Sequence, residues 1–297
     1  MTDKAIVIDG LSKRFGKSAA VDHLSLEVPR GTVFGFLGRN GAGKSTTIRI
    51  LMNMLAPTAG RVEVLGLNPQ KDELQIKQQV GYVSDNPVMY EWMKVREIAW
   101  FTGQFYERWN REKVEGLIER FGLDPEQKVK HLSRGMNAQL ALALTLGHDP
   151  ELLILDEPVS GLDVVVRQDF LESIIHAIHE EGRTVFLSSH LVHEVERVAD
   201  RVAIIDQGKL VVEDEVDQLK ARIKKVLVRV EEGFDAERIA GIRDVHGEGR
   251  QLLLTVADFG QDKLDLIEAG GGHVVEVIDL GLEECFVQYV GQRAREK

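Results

Sequence analysis

The chain has 297 residues, 43% hydrophobic and 29% charged, which is enough for two domains and a substantial buried core. Its net charge of -11 argues against a nucleic-acid partner, because phosphate backbones reward Lys and Arg. A single cysteine, Cys285, forms no internal disulfide and points to a reducing compartment, and no run nears the ~18 apolar residues of a spanning helix. The start, "MTDKAIVIDG", has no apolar stretch of signal-peptide length, so any membrane association is expected through a partner.

Residues 1–35 alternate short β-type runs ("AIVIDGL", "LSLEV", "TVFGFLG") with turns such as Pro29-Arg30-Gly31. The pattern turns helical from Lys44 to Leu55, stops before Pro57, and returns to a strand in "RVEVLG" (61–66). Residues 88–146 are mostly helical by periodicity, broken near "FGLDPEQ". Alternation then resumes with "ELLILD" as strand, "VVVRQDFLESIIHAIHEEG" as helix and "TVFLSSH" as strand. "LVHEVERVAD" follows as helix and "RVAIIDQGKLVVED" as hairpin. This is an α/β core with a helical insertion. After about residue 215, "KVLVRV", "QLLLTV" and "HVVEVI" alternate with short helices, which predicts a small α+β domain.

"GRNGAGKST" (38–46) matches G-x-x-x-x-G-K-[ST] between an apolar strand and a helix, the context this phosphate loop requires. A chance match in a chain this long is on the order of one in a hundred. Gly38, Arg39, Asn40, Gly41, Ala42 and Gly43 would turn successive amides toward phosphate oxygens, with Thr46 in the helix's first turn. Lys44 supplies charge to the β- and γ-phosphates, and the Ser45 hydroxyl suits Mg²⁺. The chain therefore binds a nucleoside triphosphate. "LLILDEP" (152–158) supplies the complement: Asp156 at a strand end to hold Mg²⁺, and Glu157 to polarise an attacking water.

With these motifs the chain resembles the ATP-binding subunits of ABC transporters over roughly residues 3–215. In that family a signature turn, usually L-S-G-G-Q, precedes the strand-end carboxylates. "LSRGM" (132–136) stands in its place, "SGLD" (160–163) looks like the family's D-loop, and "SSH" (188–190) like its switch-histidine segment. The resemblance implies an α/β fold: a P-loop NTPase core of ABC ATPase type with an N-terminal antiparallel β subdomain, a helical subdomain at about 86–148, and a small C-terminal α+β domain. The implied domains are 1–215 and 216–297. It implies ATP hydrolysis with Glu157, His190 and Lys44 as catalytic residues. Phe15 would stack on adenine, and Ser133, Gly135 and Asp163 would contact nucleotide. One chain carries one phosphate loop and one signature, so a second ATPase subunit, expected as a homodimer, must complete the ATP sandwich. Its closing and opening would drive a separate polytopic membrane subunit from the cytoplasmic face of the cell membrane.

Three places depart from the family pattern. Asp85, in "GYVSDNP", stands where the family has Gln; a carboxylate can join Mg²⁺ but donates no hydrogen bond when ionised. Arg134 replaces the signature's first Gly and Met136 its Gln, while Gly135 is retained. An Arg at a helix start ordinarily faces solvent, and that is the expectation here, with approach to phosphate as the alternative. All three tryptophans lie in "MYEWMKVREIAWFTGQFYERW" (89–109), as a helical core or as a docking groove for the membrane subunit. The tail, "DLGLEECFVQYVG", is similar to the ending of ABC-2-type exporter ATPases, which favours export. Cys285 is expected in the core and Glu283 and Glu284 on a solvated face. The alternative function is a soluble or regulatory ABC ATPase not coupled to transport.

Overall fold

A computed structural model describes residues 3–179, 182–231 and 233–295. β1 (Lys4–Phe15) and β2 (Ser18–Pro29) form an antiparallel pair in which Val21, Leu24, Leu26 and Val28 turn one face inward. β3 (Val33–Gly38) is buried at every position, as a central parallel strand covered on both faces must be. The chain then enters α1 (Lys44–Leu51) and returns in β4 (Ala59–Val64), which pairs with β1 to complete a three-stranded sheet. α1 ends four residues before the expected Leu55. Asn53 takes a left-handed φ of 54°, and the amides of Met54 and Leu55 both turn back to the Arg49 carbonyl. Asparagine tolerates that conformation and so ends a helix that periodicity alone would continue.

After α2 (Glu73–Gln79) and β5 (Val80–Val83), the expected helical stretch resolves into α3 (Val95–Gly103), α4 (Arg111–Arg120) and α5 (Arg134–Leu146). Val95, Ile98, Val114, Ile118, Leu140 and Leu144 share one core among them. The tryptophans divide between half-buried and exposed settings. Trp109 packs against this core, and a methyl group added at Gly103 or Gly147 would come within 2.7 Å of its indole. Trp92 and Trp100 remain 64% and 65% exposed.

β6 (Leu152–Asp156), α6 (Val164–His179), β7 (Thr184–Ser189), α7 (Val192–Glu196), β8 (Arg201–Asp206) and β9 (Lys209–Glu215) follow. The expected continuation of α6 through residues 180 and 181 lies outside the described residues. α7 is half the length that "LVHEVERVAD" predicts. The six strands of the second sheet run in the order β5-β6-β7-β3-β8-β9. β5, β6, β7, β3 and β8 pair in parallel, so their carboxyl ends share one edge.

Contacts group the residues up to Leu191 with Val198–Val211, and group Val192–Arg197 with the chain from Val212 onward. In the second unit, α8 (Val216–Ala221) leads into β10 (Ile223–Val230), β11 (Ile242–Glu248), β12 (Gln251–Ala257), α9 (Gln261–Ala269), β13 (Gly272–Asp279) and α10 (Leu282–Arg295). Its antiparallel sheet runs β11-β12-β10-β13 around Val226, Val228, Leu254, Val256 and Ile267. Glu196 of α7 belongs here for a chemical reason: it accepts from the Leu282 amide at the start of α10 and pairs with Lys220 at 2.6 Å. Cys285 is fully buried, and burial pushes its thiol up to about 11, so it behaves as a small core residue. Glu284 is engaged rather than merely solvated, pairing with Lys225 at 2.6 Å.

His148, after α5, is almost fully buried and stacks on Tyr106 with ring centroids 4.0 Å apart. Burial, aided by the Arg183 charge, pushes its imidazole down to about 4 from 6.5. The folded chain thus refuses a proton that the unfolded chain accepts. The contribution of His148 to stability is full above about pH 6.5 and is lost as pH falls toward 4. Denaturant unfolding across that window is expected to show a falling midpoint, and His148→Phe, which keeps the stack without the titration, should flatten the slope.

Candidate functional site

The site forms where the carboxyl ends of β3, β6 and β7 meet. The loop after β3 turns on two glycines. Gly41 (φ 80°) has open space where a side chain would be, and Gly43 (φ 110°) is closed by the Ala20 carbonyl, 2.5 Å from where a Cβ would lie. The first leaves the loop's amides bare toward the cavity; the second lets β2 press against the loop from behind. α1 begins at Lys44, so its amino end points into the same space. A cavity of about 460 Å³ is lined by residues 40–46 of the loop and by Ala20, Asp85, Arg134, Glu157, Ser160 and His190.

Lys44 is only 5% exposed; its Nζ donates to the Gly38 carbonyl at 2.6 Å and pairs with Glu157 Oε1 at 3.0 Å. Glu157, 12% exposed, gives its other oxygen to His190, accepting from Nδ1 at 2.7 Å and from the backbone amide at 3.2 Å. With a carboxylate as partner, Nδ1 carries the ring proton. Glu157 also holds a left-handed φ of 49°, which costs a side-chain-bearing residue roughly 1–3 kcal/mol. Its amide is fixed by the Ser188 carbonyl and hydroxyl at 3.2 and 3.1 Å, so β7 holds the strained residue in place.

Asp156 lies beside it in a different environment. Oδ1 accepts from the Ser188 hydroxyl at 2.7 Å and from Ser45 at 3.1 Å. Burial raises its pKa despite these two bonds, and the neighbouring charges of Asp85 and Glu157 add to the rise. A buried carboxylate held by hydroxyls, with no ion pair among the described residues, suits a hard divalent ion. Among the described residues no group of three or more acidic, His or Cys side chains could hold a metal alone. Asp85 is exposed and lines the same cavity.

The other expected residues sit variously. Phe15 ends β1 with its ring 53% exposed and Lys13 Nζ 5.2 Å from its centroid; it does not line the cavity. Ser133 caps α5, its hydroxyl accepting from the Met136 amide at 3.2 Å. Gly135 is buried, and its missing side chain would fall 2.9 Å from Val166, so its smallness lets α5 pack on α6. Asp163 accepts from the amides of Val165 and Val166 and caps α6. Arg134 is exposed as expected, yet its side chain does not simply run into solvent: it lies over Gly161 and reaches the cavity. Motif reading did not single out Ala20 and Ser160, which line the cavity, or Ser188, which holds both acids. The signal for Ser188 is register, for it stands directly opposite Asp156 in the parallel β6–β7 pair.

The pairing of Lys44 with Glu157 predicts an effect on binding as well as rate. A triphosphate must draw Lys44 from Glu157. Glu157→Gln leaves the lysine buried against a neutral amide and removes a negative charge from the cavity. The variant should bind ATP about tenfold more tightly, by titration calorimetry, since ~1.4 kcal/mol is a factor of ten. Its turnover should fall by about 10²–10⁴-fold, the usual contribution of a positioned base.

Residues 21–160 match the family model described as ABC transporter. The chain is 35% identical to the bacitracin transport ATP-binding protein BcrA of Bacillus licheniformis over 95% of both chains. It is 38% identical to the daunorubicin resistance ATP-binding protein DrrA3 of Streptomyces coeruleorubidus over 74% of this chain and 71% of that one. Among solved structures, an ATP-binding subunit of an ABC transporter superposes with a TM-score of 0.68 at 24% identity, covering 73% of this chain and 92% of that one. A dimeric bacterial cassette does so at 0.64 and 20%, covering 71% and 98%. These two show the fold alone; the family rests on the sequence relatives and on the assembled site. The chain belongs to the ABC transporter family, as an ATP-binding subunit that hydrolyses ATP.

Proposed function

We propose that this chain powers export by a separate polytopic membrane subunit, through ATP-driven closure with a second copy of itself. The observation that carries the reading is Glu157 held between Lys44 and His190. When a triphosphate enters, Lys44 transfers to its terminal phosphates and frees Oε1 of Glu157, while His190 keeps Oε2 and fixes the carboxylate's direction. Glu157 then takes the proton of a water that attacks the γ-phosphorus. The bond to the bridging oxygen breaks, and ADP and inorganic phosphate result. Ser45 and Asp156, with Asp85 nearby, would hold Mg²⁺, which when bound neutralises charge between the β- and γ-phosphates.

Phe15 is assigned to the adenine. Its exposed ring offers a free face opposite Lys13 and stands on the hairpin whose other strand lends Ala20 to the cavity. Phe15→Ala should weaken ATP binding by about 1–3 kcal/mol while leaving tripolyphosphate binding unchanged; equal affinity of the variant for ATP in calorimetry would return Phe15 to a structural role.

The membrane subunit's docking face is assigned to the exposed aromatics Tyr90, Trp92, Trp100 and Phe105. Trp100 borders a groove of about 950 Å³ between α3 and α4, floored by Trp109, Val114, Ile118 and Leu123. Large aromatics left in water are the residues that anchor interfaces. No helix among the described residues is long and apolar enough to cross a membrane, so docking is the route assigned for bringing the ATPase to the cytoplasmic membrane face. The names of the relatives direct the cargo toward antibiotics and related drugs. Trp92→Ala with Trp100→Ala should keep ATP affinity within about twofold yet abolish co-purification with the co-expressed polytopic membrane subunit. Anchor residues commonly carry more than about 2 kcal/mol each. Retained co-purification would move the docking face elsewhere.

A further inference from the structure

β7 is buried at every position, yet it changes character at its carboxyl end. Val185, Phe186 and Leu187 give way to two hydroxyls, Ser188 at 0% and Ser189 at 1% exposed. Burying a hydroxyl costs free energy unless it is hydrogen-bonded, so each must have a use. That of Ser189 is local: it accepts from the Leu191 amide at 2.9 Å and shapes the turn out of the strand. The hydroxyl of Ser188 instead bonds to residues 31 and 32 positions earlier.

The chemistry of the partners fixes the direction of each bond. Oγ of Ser188 lies 2.7 Å from Asp156 Oδ1, and an ionised carboxylate only accepts, so the hydroxyl proton points there. The amide of Glu157 donates to the same Oγ at 3.1 Å. One oxygen thus joins the side chain of the first acid to the backbone of the second. That backbone holds a left-handed φ of 49°, with its amide turned back to β7, where Ser188 supplies both acceptors, Oγ and the carbonyl oxygen at 3.2 Å. The other hydroxyl on Asp156 is that of Ser45 at 3.1 Å, and the two are not equivalent. Ser45 belongs to α1 and lines the cavity, so an entering ligand reaches its oxygen. Ser188 is closed off in the sheet between β6 and β3 and lines no part of the cavity. A ligand can therefore reorient Ser45, while the Ser188 bond stays.

We propose that Ser188 is a positioning residue of the ATPase. Its hydroxyl locks the carboxylate of Asp156 and the backbone of Glu157 to each other, so that the β6–β7 register sets metal ligand and base as one unit. This assignment rests on the roles proposed above for those two acids. Groups that orient a metal's ligands from behind contribute to both metal affinity and rate without touching the reacting atoms. Ser188 acts only through its two neighbours.

The test compares full-length wild type, Ser188→Ala and Glu157→Gln. In steady-state hydrolysis Ser188→Ala should lose about tenfold in kcat, the lower end for a residue that orients a metal's ligand, with KM for ATP within about twofold. Calorimetry with β,γ-imido-ATP supplies a readout apart from turnover. Without a divalent ion the analogue should bind Ser188→Ala as it binds wild type, because the phosphate loop is untouched. The gain in affinity on adding Mg²⁺ should be about tenfold smaller in the variant, since Asp156 has lost its fixed anchor. An unchanged kcat or an unchanged Mg²⁺ gain in Ser188→Ala would overturn the proposal. So would an equal loss of metal-free binding, which marks a general loosening of the site. A Glu157→Gln chain as fast as wild type would overturn the reading of Glu157 on which the assignment rests. A slow Glu157→Gln beside an unaffected Ser188→Ala overturns the assignment alone.

Discussion

The contact between Lys44 and Glu157 depends on strand register. Lys44 follows β3 through a five-residue loop, and Glu157 follows β6 directly; between those strands lies β7. Parallel pairing of β6 with β7 and of β7 with β3 brings all three carboxyl ends to one edge. A slip of one residue in either ladder would turn its inward side chains to the other face. The ion pair that closes the cavity floor is therefore a consequence of two parallel registers. Its low exposure makes it consequential, because a buried charge that loses its partner costs several kcal/mol. The nucleotide is positioned to take one partner's place.

Adjacent carboxylates at a strand end pose a geometric problem. A strand alternates its side chains, so Asp156 and Glu157 should face opposite sides of the sheet. The left-handed backbone at Glu157 breaks the alternation, and the two acids instead meet Ser45 and Lys44, consecutive residues of α1. Their surroundings then separate their chemistry. Asp156 is held by hydroxyls that favour ionisation less than burial opposes it. Glu157 lies against an ammonium and an imidazole N–H. One suits a ligand to a hard cation, the other a base kept in a fixed direction.

How legible this was varies with the kind of constraint. The phosphate loop, the strand-end acids and the α/β alternation are local patterns, and each carries its own physical signature in a few consecutive residues. The end of α1 was not legible. It depends on Asn53 adopting a positive φ, which competes with a helical periodicity that Met54 and Leu55 would extend. Ser188 was not legible as a site residue because its role is set by a partner 32 positions away in sequence. The partial burial of Trp109, against the exposure of Trp92 and Trp100, depends on Gly103 and Gly147 clearing space for its ring. Arg134 was legible as a departure from the signature pattern but not as a cavity residue, since its direction is set by Gly161 across the fold.

A chain of net charge -11 that binds a polyanion raises an apparent conflict, and distance resolves it. Charges on the solvated surface are screened beyond roughly 8 Å at physiological ionic strength. Groups lining a partly enclosed cavity are screened far less. There the loop amides, the amino end of α1 and Lys44 supply the positive field, while Glu157 is committed to Lys44 and His190, Asp156 to Ser45 and Ser188, and Asp85 and Arg134 line the cavity with opposite charges. Overall charge thus bears on solubility, while a few oriented dipoles and Lys44 act on phosphate at close range. The arginine in place of the signature's first glycine is tolerable in this chain for a steric reason: Gly161 has no side chain, and the guanidinium lies against its bare α-carbon.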